Sequence, residues 1–445
     1  MDTTRQTILL NSGWAFRYGD WEDAKDASFD DGDWYRVGLP HSFGIPYFME
    51  NRFYVGEGCY RKTLTIPSAW EGKRIGLTFQ GVFQEAEIFL NGSLAGRHQG
   101  GYTAFSVDLT PLARTGDNQL FVRVSNRWNP RLAPRAGEHV FNGGIYRDVS
   151  LVVTDPVCVS WYGTFVKTPH VSREHAVLDV STEVENRSGT RVSCVLESTV
   201  LFGGREQTAF SQSFSLAPDE TRTVRQEGFL SQPRLWSPEH PELYTLRSRL
   251  YRDGALADEF FTEFGVRWFA FTARDGFFLN GEPYRILGAN VHQDHAGWSD
   301  AVTHAGIERD VRLIRECGMN FIRGSHYPHH ERFAAACDRI GVLFWSELCC
   351  WGTGGTQEEG YWDASAYPVH EEDEAPFEES CLAALREMIR VNRNHPSILV
   401  WSMGNEIFFT RPETADKARR LVRKLVAASH EADPTRPAAS GGAQR

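Results

Sequence analysis

The residues best suited to chemistry in this sequence are Asn405 and Glu406, which directly follow an apolar run at residues 398–401. A short, continuously apolar run is typical of a strand that is buried on both faces of a parallel sheet. A carboxylate at the end of such a strand can exchange protons with a bound molecule, and the neighbouring amide can hold that molecule by hydrogen bonds. The pattern therefore predicts a catalytic face at the end of this strand.

Three other predicted strands are followed by strongly polar side chains, namely His292, His326 and Glu347. Ligands of parallel α/β folds bind at the carboxyl ends of the strands. We therefore expect these three side chains to share one concave polar site with Asn405 and Glu406. Taken singly, His292 or His326 could instead be a hydrogen-bonded structural histidine, and Glu347 could be part of a buried ion pair.

These residues belong to an alternating series of predicted strands and helices. The predicted strands and helices are, in chain order, 285–289, 306–317, 320–323, 331–339, 342–345, 377–392, 398–401 and 415–430. A fifth strand could begin near Pro437, and the acidic run at 371–374 is interpreted as a solvated loop. Such alternation implies parallel strands with crossover helices, and four βα units are half of an eight-fold barrel. No G-x-G-x-x-G follows an early strand, which disfavours a doubly wound sheet.

The remainder of the chain carries two all-β patterns. Residues 1–155 contain many short alternating strands and an Asn-Gly hairpin signal at 91–92, which predict a jelly roll. Residues 156–270 contain longer strands around a turn cluster at 186–189, which fit a small immunoglobulin-like sandwich. The predicted third domain, residues 271–445, is the N-terminal half of a (β/α)8 TIM barrel.

The composition restricts the classes of partner. Of the 445 residues, 41% are hydrophobic and 24% are charged, as in a soluble globular protein. The net charge of −11 disfavours a nucleic-acid groove, because phosphate binding needs clustered cations. Aromatic residues make up 13% of the chain, which fits either carbohydrate recognition or aromatic-rich sheet cores. A neutral ligand rich in hydroxyl groups is compatible with this charge.

Cysteine spacing and the terminal sequence suggest neither a metal site nor a membrane anchor. The eight cysteines form no C-x-x-C pair and show no metal-ligand spacing, so we expect no metal and no cofactor. The first six residues lack the basic region and apolar core of a signal peptide. No apolar stretch approaches the roughly 20 residues of a membrane span. These features predict a cytoplasmic protein that does not bind membranes.

Several motifs resemble glycoside hydrolase family 2. Residues 401–406, together with 319–328 and 337–341, are similar to the catalytic barrel of that family. Residues 143–149 resemble the end of its N-terminal sugar-binding jelly roll, and residues 276–281 resemble its entry into the barrel. The motifs occur in the family's order along essentially the whole chain. The resemblance implies a jelly roll, an immunoglobulin-like sandwich and a (β/α)8 barrel, with retaining exo-β-glycosidase activity.

The resemblance also implies roles for single residues. Glu406 corresponds to the general acid/base, which protonates the leaving glycosidic oxygen and later deprotonates water. Asn405 corresponds to the residue that hydrogen-bonds the sugar 2-hydroxyl. His292 and His326 correspond to histidines that contact sugar hydroxyls and developing charge in β-galactosidase-like members.

Two more residues are assigned to the substrate site by the resemblance. Asp148 corresponds to an aspartate of the N-terminal domain that reaches across to the sugar hydroxyls, with a surface pair to Arg147 as the alternative. Glu347 corresponds to a supporting residue of the site, and its use as a nucleophile is disfavoured for that reason. In large β-galactosidases, a Glu and a His slightly beyond this position hold a divalent cation. Trp351 and Thr353 stand there instead, so that metal site is expected to be absent.

The second carboxylate of the reaction has no clear candidate. A retaining glycosidase needs two carboxylates about 5–5.5 Å apart. The family takes the second from a late barrel strand with a Glu-Tyr or Glu-Phe signature. After Glu406, Glu413 falls at the start of a predicted helix and Glu431 at the end of one. We therefore expect a C-terminally truncated chain that could be inactive alone, with exposed sheet edges that favour homo-oligomers.

Several substrate classes are compatible with the sequence. A β-galactoside is favoured, because His292 and His326 are paired with Asp148 in the galactosidase-like pattern. β-Glucuronidases and β-mannosidases share the Asn-Glu motif and remain alternatives within the family. The alternative from another class is a carbohydrate-binding protein without catalytic activity.

Overall fold

The computed structural model describes residues 4–45, 53–137, 142–357 and 359–442. Of the first six residues, on which the signal-peptide prediction depends, residues 1–3 lie outside the described part. None of the helices within that part combines the length and apolar character needed to cross a bilayer. Three units follow one another along the chain, each with its own sheets.

The first unit is a jelly-roll sandwich. Its strands are β1 (Gln6–Leu9), β2 (Trp14–Tyr18), β3 (Tyr35–Val37), β4 (Glu57–Ile66), β5 (Arg74–Phe79), β6 (Glu85–Leu90), β7 (Ser93–Gln99), β8 (Phe105–Asp108), β9 (Gly116–Ser125) and β10 (Val149–Thr154). The two sheets have the orders β1-β10-β5-β8 and β3-β2-β4-β9-β6-β7. Alternate side chains such as Trp14, Leu77 and Leu120 point inwards and fill the space between the sheets.

The hairpin signal at Asn91 and Gly92 lies between β6 and β7, as predicted. Asn91 has φ of 53° and Gly92 has φ of 82°. A two-residue turn with positive φ at both positions twists in the same sense as the strands, and Asn and Gly adopt it with little strain.

The second unit is an immunoglobulin-like sandwich of seven antiparallel strands. They are β11 (Val157–Val171), β12 (His175–Asn186), β13 (Val192–Phe202), β14 (Arg205–Leu216), β15 (Thr221–Ser231), β16 (Tyr244–Arg252) and β17 (Ala255–Phe264). The sheets have the orders β11-β12-β15 and β14-β13-β16-β17. Small apolar clusters around Val180 and Leu196 lie between them.

The third unit is a partial TIM barrel. A small antiparallel sheet, β18 (Phe269–Thr272), β19 (Gly276–Leu279) and β20 (Glu282–Pro283), leads into it. The parallel strands and helices are β21 (Gly288–Val291), α1 (His304–Glu316), β22 (Phe321–Gly324), α2 (Glu331–Ile340), β23 (Leu343–Glu347), α3 (Glu371–Asn392), β24 (Ile398–Asn405), α4 (Ala415–Ala432) and β25 (Ala438–Gly441). The five strands pair in chain order, and every pair is parallel. Short 3-10 turns occur at Glu22–Lys25, Ser68–Trp70 and Pro412–Thr414.

Two predicted boundaries in the third unit were wrong. The acidic run at 371–374 is the first turn of α3 and not a loop. Carboxylates are favourable there because the free amide groups at a helix start carry partial positive charge. Pro376 is the sixth residue of the same helix, so the helix lacks the bond from this position to the carbonyl of residue 372. Strand β24 also extends to Asn405, beyond the predicted end at residue 401, and all its residues are buried.

The jelly roll and the barrel share one apolar cluster, in which Tyr102 stacks on Tyr327 with ring centroids 4.4 Å apart. Arg147 of the jelly roll reinforces this contact. Its guanidinium donates to the backbone oxygens of Tyr102 and Pro328 at 2.9 and 2.8 Å, and to the side chain of Gln293 at 2.8 Å. The two units are therefore packed together close to the ends of β21 and β22.

Candidate active site

Glu406 stands where β24 ends and the chain turns away from the sheet. Its backbone has φ of 52°, in the left-handed region that is uncommon for a residue with a Cβ. Its amide donates to Gly441 O at 3.0 Å, so the neighbouring strand β25 holds this turn in place. Within the described residues no hydrogen bond or ion pair engages the Glu406 carboxylate, which leaves both oxygens free for a ligand.

A close backbone approach at Gly404 sets the position of Asn405. The Asn405 amide donates to Cys350 O at 3.0 Å. Gly404 has φ of 141°, and a Cβ there would overlap the Cys350 carbonyl oxygen. Only glycine therefore lets the loop that follows β23 lie against the end of β24.

Glu347, the last residue of β23, is the buried anion of the site. Its side chain is completely excluded from solvent and accepts hydrogen bonds from four side chains: His326 Nδ1 at 2.7 Å, Ser402 Oγ at 2.8 Å, Trp345 Nε1 at 3.0 Å, and Arg323 Nε and Nη2 at 3.1 and 3.0 Å. Burial alone would raise the pKa of Glu347, but His326, Arg323 and Ser402 outweigh it and hold the pKa below its ordinary value. Glu347 is therefore a charged anchor that stands behind the ligand-binding surface.

Arg323 connects this anchor to the end of β24. Besides Glu347, its Nη2 donates to Asn405 Oδ1 at 2.9 Å. The amide oxygen of Asn405 is thus occupied, and its NH2 group remains to donate to a ligand. Sequence reasoning missed Arg323, although a charged residue inside a predicted buried strand was a signal that could have found it.

The two predicted histidines meet at the same end of the sheet. His292 directly follows β21, and its ring lies 5.2 Å from that of His326 at an angle of 88°. His292 Nδ1 also lies 3.3 Å from the hydroxyl of Tyr327. His326 is also the histidine that bonds Glu347, at 2.7 Å.

Gly441, the last residue of β25, and Gly442, which follows it, allow Glu406 to lie close to these groups. A Cβ at Gly442 would lie 2.7 Å from Glu406 Cγ, and one at Gly441 would lie 3.1 Å from Glu347 Oε2. The structure thus gathers six side chains at the carboxyl end of the parallel sheet, here called the strand-end cluster: His292, Arg323, His326, Glu347, Asn405 and Glu406. The cluster combines a free carboxylate, amide and imidazole groups, and a buried ion pair, which suits proton transfer to a ligand rich in hydroxyl groups.

Asp148 lies apart from this cluster, at the contact between the jelly roll and the first turns of α1 and α2. Its carboxylate accepts from Asn11 Nδ2 at 2.7 Å and from His304 Nε2 at 2.6 Å, and His330 Nε2 lies 3.6 Å away. Burial would raise the pKa of Asp148, but these neighbours hold it well below its ordinary value. The alternative pair with Arg147 is not formed in the described structure, and the proposed sugar contact of Asp148 stays a prediction.

Asp148, His304 and His330 also place potential metal-ligating atoms within 4.8 Å of one another. However, His330 Nδ1 accepts the Arg332 amide hydrogen at 3.0 Å, so the proton of the neutral ring sits on Nε2. A protonated Nε2 offers no lone pair to a metal. The short contact of 2.6 Å between His304 and Asp148 is a hydrogen bond. Asp148 and His304 therefore form a hydrogen-bonded junction between two units, with the buried His330 Nε2 facing the same carboxylate.

A cavity of about 900 Å³ borders this junction and is lined by Asp148, His304 and Tyr162 among other residues. No member of the strand-end cluster lines it. The strand-end cluster, and not this cavity, is taken as the candidate active site, because in the described part of the chain it combines a carboxylate without a hydrogen-bond partner, Glu406, with imidazole and amide groups.

Three models of one family match consecutive parts of the chain. The sugar-binding domain of glycosyl hydrolases family 2 matches residues 10–156, the central model of that family matches 162–267, and its TIM barrel domain matches 272–444. These matched segments correspond to the three units of the structure.

Individual relatives agree with the family models. The chain is 33% identical over 449 aligned residues to a β-glucuronidase of Bacteroides fragilis, covering 99% of this chain and 61% of the relative. It is 34% identical to a β-galactosidase of Bacteroides ovatus, covering 91% of this chain and 47% of the relative. The crystal structure of a Bacteroides uniformis β-glucuronidase superposes with a TM-score of 0.90 at 33% identity, covering 98% of this chain and 52% of that one.

The chain spans about half to three-fifths of the length of these relatives. Their names divide between two sugar specificities, while the order of the domains is shared. This chain belongs to glycoside hydrolase family 2.

Proposed function

We propose that this chain carries the acid/base half of a retaining β-glycosidase site, with Glu406 as the general acid/base. The single observation behind this proposal is the free carboxylate of Glu406 at the end of β24, beside a cluster whose other charges are paired. Glu406 would protonate the departing glycosidic oxygen and then take a proton from the attacking water.

Asn405 and the histidines would bind the sugar. Because Arg323 occupies the Asn405 oxygen, the Asn405 NH2 group is oriented to donate, and the 2-hydroxyl next to the reacting carbon is a suitable acceptor. His292 and His326 present imidazole groups to further hydroxyls. These contacts would strengthen as positive charge develops on the sugar ring.

Glu347 is an unsuitable nucleophile. Its side chain is fully buried and both oxygens already accept hydrogen bonds, so it cannot approach the anomeric carbon. Glu413 lies in a 3-10 turn and Glu431 in α4. We therefore expect little hydrolysis by the 445-residue chain when it is assayed alone.

A neutral terminal sugar, and specifically a β-galactoside, is the preferred substrate class. In the described part of the chain, the guanidinium of Arg323 is bound to Glu347 and Asn405, and that of Arg411 is bound to the backbone oxygens of Gly355 and Gln357. A uronic acid would need a cation that is not already engaged. A β-glucuronide is the second candidate, because relatives at 33% identity carry that name.

Calorimetry and hydrolysis of matched glycosides test the proposal. We expect methyl β-galactoside to bind more tightly than methyl β-glucuronide, and Asn405→Ala to weaken this binding about tenfold. A reversed preference would favour the glucuronide. Failure of both sugars to bind would contradict the proposed site.

Turnover of 4-nitrophenyl β-glycosides tests the role of Glu406 separately. If the wild-type chain hydrolyses them, Glu406→Gln should lower the rate about 10²–10⁴-fold. A rate unchanged in Glu406→Gln would overturn the acid/base assignment. Glycoside binding without turnover, in the wild type and in Glu406→Gln alike, would support a site that lacks its nucleophile or a carbohydrate-binding role. Loss of turnover in a correctly folded Glu347→Gln variant would favour Glu347 as the nucleophile.

A further inference from the structure

Three of the loops at the carboxyl end of the parallel sheet each expose a large aromatic side chain. Trp298 lies between β21 and α1, Trp362 between β23 and α3, and Phe409 between β24 and α4, and each is at least half exposed. Large aromatic rings contribute much of the apolar surface available for burial, so several exposed rings at one end of a domain mark a binding surface. This is also the end at which Glu406 emerges.

The loop that carries Trp362 is fixed to the catalytic strand on both sides. The loop begins near Cys350, whose carbonyl oxygen accepts the Asn405 amide hydrogen. Towards its other end, the Ala366 amide donates to Phe409 O at 3.1 Å. The Phe409 amide in turn donates to Glu406 O at 2.8 Å. Phe409 is therefore bonded to Glu406 through its backbone, and the loop that carries Trp362 is bonded to Phe409 through Ala366.

Local bonds also order the loop itself. The Asp363 carboxylate, adjacent to Trp362, accepts the backbone amides of Gln357 and Thr356 at 2.6 and 3.0 Å. The ring of Tyr361 packs edge-on against Trp362 with centroids 4.7 Å apart. The exposed indole is thus presented by a structured loop.

The jelly roll completes this surface. Phe53 lies 6.3 Å from Trp362 between ring centroids, at an angle of 41°. The Gly137 amide donates to Tyr361 O at 2.6 Å, and a Cβ at Gly137 would overlap the Tyr361 ring. Phe53 and Trp362 therefore bring rings from two units together, and Phe409 lies on the adjoining loop, bonded to Glu406 through its backbone. These three residues are here called the aromatic platform.

We propose that the aromatic platform is the subsite for the leaving group of the substrate, and that it takes a leaving group with a flat apolar face. Aromatic rings and the C–H face of a second pyranose share this chemistry. The inference rests on the proposed function, because it places the sugar that is cleaved off at the strand-end cluster. The leaving group then extends from the oxygen that Glu406 protonates towards the solvent, where the platform stands.

Calorimetry with glycosides of one terminal sugar tests the platform. The ligands are the methyl β-glycoside, the 4-nitrophenyl β-glycoside and a β-linked disaccharide, titrated into the wild-type chain and into Trp362→Ala. Phe229→Ala is the matched control, because Phe229 is equally exposed but lies on β15 of the immunoglobulin-like unit. Circular dichroism checks that each variant is folded.

We expect the wild-type chain to bind one of the two larger glycosides about tenfold more tightly than the methyl glycoside. Trp362→Ala should abolish this preference and leave the dissociation constant of the methyl glycoside unchanged, and Phe229→Ala should change neither. Trp362→Phe should restore part of the preference. A preference for the nitrophenyl ligand would indicate an aromatic leaving group, and one for the disaccharide a sugar.

The outcomes separate this inference from the proposed function. A preference that survives in Trp362→Ala, or that is absent from the wild type, overturns the platform. If no glycoside binds, the proposed function fails, and titration with 4-nitrophenol and with the free leaving sugar then decides the platform. Binding of either that is lost in Trp362→Ala would support the platform, and no binding of either would overturn it.

Discussion

Arg323 neutralises a buried charge, Glu347, and also orients the side chain of Asn405. Its planar guanidinium reaches both oxygens of Glu347 and the amide of Asn405, a geometry that the single ammonium group of lysine cannot reproduce. Glu347 could not stay ionised at this depth without such a partner. The orientation of Asn405 is therefore a consequence of how the protein satisfies a buried carboxylate.

Substitution of Arg323 tests the Arg323–Glu347 pair. Arg323→Met should lower the free energy of unfolding by about 3 kcal/mol, because it leaves the Glu347 charge buried without its cation. Urea unfolding followed by fluorescence measures this change. Arg419→Met is the control, since the Arg419–Asp416 pair is exposed and its loss should change the stability by less than about 0.5 kcal/mol. Equal effects of the two substitutions would contradict the anchoring role.

At the level of single elements, β24 depends on contacts at both of its ends. Its C-terminal end passes so close to the carbonyl of Cys350 that only glycine fits at position 404. Its entry is held by Asp338 of α2, which accepts the Ser397 amide at 2.9 Å and pairs with His395 at 2.5 Å. The strand that presents Glu406 is thus fixed by its neighbours and not only by its own β propensity.

Gly404→Ala tests the exit of the strand. The added methyl group meets the Cys350 oxygen at a φ that favours glycine, so we expect a loss of about 1–3 kcal/mol in stability together with weaker glycoside binding. Gly360→Ala is the control, because a Cβ there has open space and ordinary φ. Thermal unfolding and calorimetry report the two effects, and a Gly404→Ala chain that binds like the wild type would refute the close-approach argument.

The pH dependence of stability tests the entry of the strand. Burial would lower the pKa of His395, but Asp338 outweighs it and the pKa is raised. A raised pKa in the folded state means that the charged pair stabilises the protein below the unfolded value of about 6.5. This contribution disappears as the pH rises through the higher folded value.

We therefore expect the melting temperature of the wild type to fall, relative to that of His395→Gln, as the pH is raised from about 6 into the alkaline range. Differential scanning calorimetry at several pH values measures the difference. Identical pH profiles of the two proteins would show that the pair does not titrate in this way.

At the scale of the whole molecule, the junction of Asp148 with His304 and His330 ties the jelly roll to the helices of the barrel. The neighbours of Asp148 hold its pKa well below the ordinary value, despite burial. A depressed folded-state pKa means that the carboxylate stabilises the structure above the unfolded value of about 3.9. That contribution is lost as the pH falls towards the folded value.

Asp148→Asn should thus cost about 1.5–3 kcal/mol at neutral pH and much less in strong acid. Chemical unfolding of both proteins at neutral and acidic pH gives the two differences. Asp416→Asn, at an exposed position, provides the comparison. A penalty for Asp148→Asn that does not shrink on acidification would disprove the titration of this junction.

A good part of the fold could be predicted from the sequence, because its signals are local. Period-two alternation marked strands of both sandwiches, and the Asn91-Gly92 turn was found between β6 and β7. The start of α3 was missed because Pro376 and four acidic residues resemble a loop when their position at a helix start is unknown. Acidic residues and proline favour a helix only near its first turn, so they indicate a helix only once the position of that turn is known.

For the candidate active site, the polar residues that follow the apolar strand runs could be found in the sequence alone, namely His292, His326, Glu347, Asn405 and Glu406. Because parallel strands all run in the same direction, the residues that follow them lie at the same end of the sheet. Two contacts became visible in the folded chain and not in the sequence: Arg323 bridges Glu347 and Asn405, and Asp148 binds His304 at the edge of the barrel. Those contacts join residues that are far apart in the chain. The first depends on the register of the parallel strands and the second on the packing of the jelly roll against the barrel. Neither the register nor the packing can be read from a local sequence pattern.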